Sequence, residues 1–435
     1  MPVLEDVKNN IKSIKGAFLA YNSNIDSIVH ISKDMERLWK YKPFKKLPNE
    51  IKTVDDFFAG LLYSMSKGEG LELRMNEEMQ NWMAMNFIHR EKRMGGQAGI
   101  MANFLSSLGV QSIVFTPLLS REQCSLFNDK VILLPRLKHP KASARNDRKK
   151  TNWIFEFDEG EKLFGITAKG KTRFIAASRL DEYRLRNIKI PVGKIDFALF
   201  SGLQNIRNKY KDGTTYSDQL KIAEETLREL KRNRKPVHIE FVFTKNEKIK
   251  RYMIRRITPL VDSIGLDGPE LIDTLELLKE KNLAEKVARD DIASVFLGLQ
   301  KILKKSKTRK VHFHRKGYFL AVCRKDYLSN DEIKKSLEFA TIATAAKAVG
   351  EIKCFDDIKN GLNVPISALG MKKMAELTRF LKKKGIAMRD GVAETDDETI
   401  IIVPNRMAKE SRHVVGLGDI VSASIFLAEN SYRIK

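Results

Sequence analysis

Residues 414–429 read VVGLGDIVSASIFLAE. Gly416 and Gly418 stand just before an acid, Asp419, and an amphipathic run begins there. Upstream, IIIVP (400–404) has the apolar character of a strand. A strand, a glycine-rich turn and a helix in that order make a phosphate-sized cradle. The glycines let backbone N–H groups point into a cavity, and the positive end of the helix faces an anion. Gly416, Leu417 and Gly418 are therefore the candidate anion hole, with Gly418 also the candidate contact to a phosphorylated cofactor. Asp419, at the helix start, can reach a hydroxyl group. Phosphoryl transfer needs this pairing of a base for the nucleophile with fixed donors for the transferring charge. An aspartate there is also an ordinary N-cap, so the rest of the chain has to decide.

A second stretch competes for the same role. GITAKGKT (165–172) satisfies the P-loop pattern through Gly165, Gly170, Lys171 and Thr172. A P-loop requires a buried strand entering its first glycine and a helix leaving its Lys-Thr pair. DEGEKLF (158–164) precedes Gly165 instead. It is acidic and turn-like, and its three carboxylates would repel a phosphate. A β-hairpin is the plainer reading.

Outward from these stretches the chain alternates. Apolar strands are expected at GAFLAY (16–21), SIVFTP (112–117), IDFALFSG (195–202), VHIEFVF (237–243), VDSIG (261–265) and KVHFHRKGYFLAV (310–322). Helical periodicity is expected at 53–67, 76–92, 216–233, 245–255 and 268–305, and RMGGQAGIMANFLSSLG (93–109) reads as a glycine turn entering a helix. This is the pattern of a mostly parallel sheet covered on both faces, with ligands outside the carboxyl ends of its strands. Residues 120–185 differ, with short strands, turn residues and dense charge.

The totals narrow the class. A chain of 435 residues with 43% hydrophobic content holds a sizeable core and more than one simple domain. No run approaches the ~20 apolar residues of a membrane helix, and the N-terminal residues lack a signal-peptide core. The three cysteines are scattered and suit a reducing cytoplasm. The formal charge of +24 favours anionic partners. It is spread along the chain, however, and basic runs such as RNDRKK (145–150) and LKRNRK (230–235) carry no interleaved aromatics. Small phosphorylated ligands are expected rather than nucleic acid or a membrane. No element of the sequence specifies an oligomeric state.

NSNID (22–26), GGQAG (95–99), SGLQ (201–204), HIE (238–240), GLDGPE (265–270) and VVGLGD follow one another in the chain. In that order they resemble the archaeal ADP-dependent sugar kinases, the phosphofructokinase and glucokinase group of the ribokinase-like superfamily. The resemblance runs from about residue 16 to 429. It implies a three-layer α/β/α large domain and a smaller, discontinuous β-rich lid. On the sequence alone the large domain takes 1–26, 51–111 and 186–435, and the lid takes 27–50 and 112–185. It also implies a cytoplasmic enzyme of a modified glycolysis, with ADP as donor, AMP as product and Mg²⁺ as cofactor.

Carried over by residue, Asp419 matches the catalytic base, and Gly416, Leu417 and Gly418 match the anion hole. Glu240 and Glu270 match the acids tied to magnesium, with Asp419 beside them. Both glutamates follow strands that end at one sheet edge, and Mg²⁺ favours a few carboxylates plus water and phosphate. His238 is read as a satisfied strand histidine. Asp267 replaces the family's asparagine, so an acceptor-only carboxylate stands where an amide is usual. It either binds the cation directly or repels the diphosphate, and a non-catalytic sensor is the rival it raises.

For the sugar, the resemblance points to Asn24, Asp26, Gly95, Gly96 and Gln97, with Asn22 shaping the turn. Glu72, in GEGLELR (68–74), matches a position that marks glucose-accepting members. Arg173 and Arg179 of RFIAASR, with Lys149 and Lys150 nearby, match the pair that holds a sugar 6-phosphate. An arginine fork contacts two phosphate oxygens at once. The expectation is fructose 6-phosphate, phosphorylated on its 1-hydroxyl by the β-phosphoryl of ADP. The alternative is glucose, alone or as a second substrate.

Overall fold

The structure is a computed structural model that describes residues 2–43, 46–87, 91–241, 244, 246–408 and 415–434. Two sheets organise it. Seven strands of an 11-stranded sheet run parallel: Lys310–Arg315, Ser263–Leu266, Val237–Glu240, Phe197–Phe200, Ala17–Ala20, Ser112–Phe115 and Ile132–Leu133, in that spatial order. Tyr318–Arg324, Glu398–Pro404, Val392–Glu394 and Met388–Arg389 continue it antiparallel beyond Lys310–Arg315. Every residue of the four central strands from Ala17–Ala20 to Ser263–Leu266 is buried, because helices cover both faces. Tyr216–Arg232, Gly268–Leu277, Ile292–Ser306 and Ala368–Lys382 share a core on one face. Pro2–Asn10, Gln97–Ser107, Asn330–Val349 and the C-terminal helix Leu417–Arg433 share one on the other. This is the expected three-layer α/β/α arrangement.

The second sheet has six strands, in the order Glu50–Ile51, Leu71–Met75, Thr172–Ser178, Thr151–Phe157, Asn24–His30 and Glu91–Gly95. Strand residues alternate between faces, and here the alternation separates two chemistries. Val29, Ile51, Leu73, Trp153, Phe155, Phe157 and Phe174 join a core with the helices Val54–Lys67 and Glu77–Asn86. The strand registers put Asn24, Asp26, Glu72, Arg74, Asn152 and Arg173 together on the opposite face.

The division between the sheets departs from the expected boundaries. Ser112–Phe115 and Ile132–Leu133, expected in the lid, pair into the large sheet. SIVF is buried at all four positions, as a strand covered on both faces must be. Leu71–Met75 and Glu91–Gly95, expected in the large domain, belong to the six-stranded sheet. The Val54–Lys67 helix goes with them, because Phe57, Phe58, Leu61, Leu62 and Met65 need the aromatic face of that sheet. The helix expected over 76–92 ends at Asn86, and a strand begins at Glu91.

The chain passes between the sheets four times: after Ala20, at Gly96, before Thr151 and after Ser178. Among the described residues no helix is long and apolar enough to cross a membrane.

Candidate active site

The C-terminal helix starts where the parallel strands end. Gly416 caps it with φ +78°, a left-handed conformation that suits glycine. A Cβ on Gly418 would lie 2.9 Å from His314 Nε2, and one on Gly416 would lie 2.9 Å from Ile100 Cδ1. Glycine at 416 thus follows from its φ, and a side chain at 418 would press on the His314 ring. The first N–H groups of any helix have no partner within it. Those of Leu417, Gly418 and Asp419 open this helix behind its cap Gly416, so the residues read as the anion hole, Gly416, Leu417 and Gly418, lie at its free N–H end. Desolvation pushes the Asp419 carboxyl up to about 7, and the Asp26 charge adds to it. Such a carboxyl is poised as a proton acceptor near neutral pH.

Glu240 closes the Val237–Glu240 strand, and Asp267 and Glu270 follow the Ser263–Leu266 strand beside it. Both glutamates are held well above the usual carboxylate range. Burial is the main cause, and the neighbouring Asp267 raises both. Asp267 is the N-cap of the helix Gly268–Leu277. It accepts from Glu270 N at 2.9 Å, and Glu270 Oε2 accepts from Asp267 N at 2.8 Å. An aspartate caps as well as an asparagine does, so the departure from the family residue preserves the local fold and adds a charge. Three carboxylates crowded at one sheet edge repel one another, and a hard divalent cation with oxygen ligands relieves that repulsion. The donor set fits Mg²⁺.

On the six-stranded sheet, Asn24 Nδ2 donates to Asp26 Oδ1 at 2.6 Å. Burial pushes Asp26 up to about 7, against the Asn24 hydrogen bond and the charge of Lys150. A Cβ on Gly95 would collide with both Asn24 and Asp26, and one on Gly96, at φ +74°, would press on Asn22 O at 2.7 Å. Arg173 and Arg179 both reach this region. Arg179 lies 3.0 Å from Glu72 Oε1, so the two side chains that argue for different sugars touch each other. Among the described residues, Asn24 Oδ1 and the Nε atoms of Arg173 and Arg179 are buried without a hydrogen-bond partner. Unsatisfied buried groups of this kind are uncommon, and here they gather where a polar ligand is expected.

The sequence reading underrated several residues. Asn22 does more than shape a turn. It donates to Gln97 Oε1 at 2.7 Å, accepts from Lys150 Nζ at 2.5 Å, and its carbonyl accepts from Ala98 N at 2.9 Å. Lys150 is fully buried, 5.1 Å over the Tyr183 ring, and desolvation pulls its ammonium down to about 7. Lys149, by contrast, is exposed and paired with Glu122 at 2.7 Å. All four crossings between the sheets thus meet around Asn22. His312, His314 and Ser422 were passed over entirely. The alternation in KVHFHR already put 310, 312 and 314 on one face of a strand.

The competing stretch is a hairpin. Lys162–Leu163 pairs antiparallel with Ile166–Thr167 across Phe164 and Gly165, and Thr172 opens a strand rather than a helix. Lys171 lies 2.8 Å from Asp158.

Residues 15–428 match the conserved region described as ADP-specific phosphofructokinase/glucokinase. The chain belongs to the ADP-specific phosphofructokinase/glucokinase family. An ADP-dependent glucose/glucosamine kinase of Pyrococcus abyssi is 33% identical over 98% of this chain and 97% of its own length. An ADP-specific phosphofructokinase of Pyrococcus horikoshii is 31% identical over 94% of this chain and 96% of its own length. Among solved structures, an ADP-dependent kinase in complex with fructose-6-phosphate and ADPβS superposes with a TM-score of 0.88. It is 32% identical and covers 99% of this chain and 96% of its own. The last common ancestor of ADP-dependent phosphofructokinases from Methanosarcinales gives a TM-score of 0.84 at 33% identity, covering 99% of this chain and 97% of its own. Phosphofructokinase and glucokinase relatives within the family are about equally similar to this chain, so the choice of sugar rests on the site.

Proposed function

We propose that the protein is an ADP-dependent phosphofructokinase that moves the β-phosphoryl group of ADP to the 1-hydroxyl of fructose 6-phosphate. The observation that carries this reading is the pair Arg173 and Arg179, each with an unpartnered Nε atom, Arg173 near Asp26 and Arg179 against Glu72 on the cleft face. Two guanidinium groups on one cleft face suit a phosphate on the sugar. Asn24, Asp26 and the backbone at Gly95 and Gly96 meet the hydroxyls. Asp419 accepts the proton of the 1-hydroxyl as its oxygen attacks the β-phosphorus. The bond to the α-phosphate oxygen breaks and AMP leaves. The N–H groups from Leu417 to Asp419 hold the oxygens of the transferring group. Glu240 and Glu270, with Asp267 and Asp419 beside them, would hold Mg²⁺, which when bound neutralises diphosphate charge. The reading sets the protein in the cytoplasm, acting on a small sugar phosphate in a glycolytic step.

Glu72 supports a second reading, glucose as an additional or principal acceptor. It stands on the cleft face and is bonded to Arg179. The test is a matrix of donors and acceptors, ADP and ATP against fructose 6-phosphate and glucose, following AMP or ADP. The expected result is fastest AMP formation with ADP and fructose 6-phosphate. Faster turnover of glucose would reverse the two readings. Binding without turnover in every cell would leave a sensor.

A further inference from the structure

Three alternate residues of the Lys310–Arg315 strand face the C-terminal helix. Lys310 pairs with Glu429, both fully buried, and Tyr327 O–H donates to Glu429 Oε2 at 2.7 Å. His312 Nε2 lies 3.1 Å from Ser422 Oγ. His314 Nε2 is the nearest atom to a Cβ built on Gly418. The strand therefore fixes the helix at three levels, from its last turns to its first.

The middle level also reaches Glu240. Ser422 Oγ donates to Glu240 Oε2 at 2.5 Å, so His312 Nε2 must be the donor to Ser422. His238 Nε2 lies 3.2 Å from the same Glu240 Oε2, while its Nδ1 meets Ser263 Oγ at 3.0 Å. Glu240 Oε2 is thus engaged twice. Its other oxygen, Oε1, stands 3.6 Å from His314 Nε2, toward the start of the helix. Ser422 and His312 are fully buried, so these contacts are made out of reach of bulk water.

We infer that Ser422 is a positioning residue for the divalent cation. By holding Glu240 Oε2, it turns Oε1 toward the cation and ties that carboxylate to the helix whose first turn carries Asp419. The inference rests on the reading of Glu240 as a cation ligand. Partners that orient a metal carboxylate typically change metal affinity about 10–100-fold when lost.

The test is Mn²⁺ affinity by EPR in the ADP complex of the full chain, for wild type, Ser422→Ala and Glu240→Gln. Fructose 6-phosphate affinity is measured alongside by calorimetry. Ser422→Ala removes one oxygen from a packed site and leaves no sizeable cavity. It is expected to weaken Mn²⁺ about tenfold and to leave sugar affinity within about twofold. If Glu240→Gln weakens Mn²⁺ and Ser422→Ala does not, the positioning role is wrong while the Glu240 reading stands. If Ser422→Ala weakens metal and sugar alike, the serine only packs the helix. If Glu240→Gln leaves Mn²⁺ binding intact, both readings fall.

Discussion

Two glycine-rich stretches of this chain look alike as strings and differ in everything else. GITAKGKT lies on the small lobe between short strands, and Lys171 is 70% exposed and bonded to Asp158. GLGD lies at the carboxyl edge of a parallel sheet, at the start of a helix of 17 residues that is buried nearly throughout. Glycine and lysine supply the flexibility and charge of a phosphate cradle. Only the second setting supplies aligned N–H donors, a low-dielectric surrounding and a buried carboxyl group, Asp419. The lesson is that an anion site belongs to a topological position before it belongs to a motif.

The sharpest way to break this comparison is Asp419→Asn. The expected outcome is loss of turnover by orders of magnitude with ADP binding nearly intact, because the base goes while the donors stay. Turnover within a few-fold of wild type, by coupled assay, would remove Asp419 from the mechanism.

The strand that follows the hairpin sharpens the contrast, since it contributes through Arg173 and, just past its end, Arg179 rather than through the loop. Replacing either with Ala should raise KM for fructose 6-phosphate about 10–100-fold, from the loss of charge-assisted hydrogen bonds. KM for glucose should scarcely change. Equal shifts for the two sugars would make the protein a glucokinase with a basic lid. Glu72→Ala should act in the opposite sense, freeing Arg179 for the phosphate.

Asp26 gives a smaller effect with a definite pH signature. Its folded pKa of about 7 exceeds the unfolded value. The folded state therefore keeps its proton longer, and the wild type loses stability as pH rises from about 4 to about 7. Asp26→Asn lacks that loss. The gain in Tm of the variant over wild type should grow across this window and level off above it. Lys150, pulled down to about 7, acts mainly above the window. A Tm difference that does not vary with pH would show that Asp26 is not buried as described.

Lys171→Ala should do least. ADP affinity should stay within about twofold, whereas a P-loop lysine contacts the β- and γ-phosphates and its loss is severe. Collapse of ADP binding in a folded variant would overturn the contrast between the two stretches.

The large sheet was legible because its strands are continuous apolar runs, and a parallel strand covered on both faces reads that way. GLGD was legible because glycine, acid and helix are contiguous. The lobe boundaries were not. LELRM alternates over only five residues, and its longer partner, RFIAAS, lies about a hundred residues away. Nothing local marks Lys150, since lysines are rarely buried and its partner Asn22 is 128 residues distant. Ser422 hides for the same reason. Its bonds to His312 and Glu240 span 110 and 182 residues, and no local pattern announces them.

The meeting of four crossings at Asn22 has a mechanical consequence. Two bodies joined by one strand of chain can swivel, slide and separate. Two bodies joined by four strands gathered at one point behave as a flexure, free to bend about that point and stiff in every other direction. A protease that nicks any one crossing should leave the halves attached through the other three, so cleaved protein should still elute as one body on gel filtration. The proposed sugar site, with Asn24, Gly96 and Gln97 within two residues of Asn22 or its contacts, sits in the bearing itself.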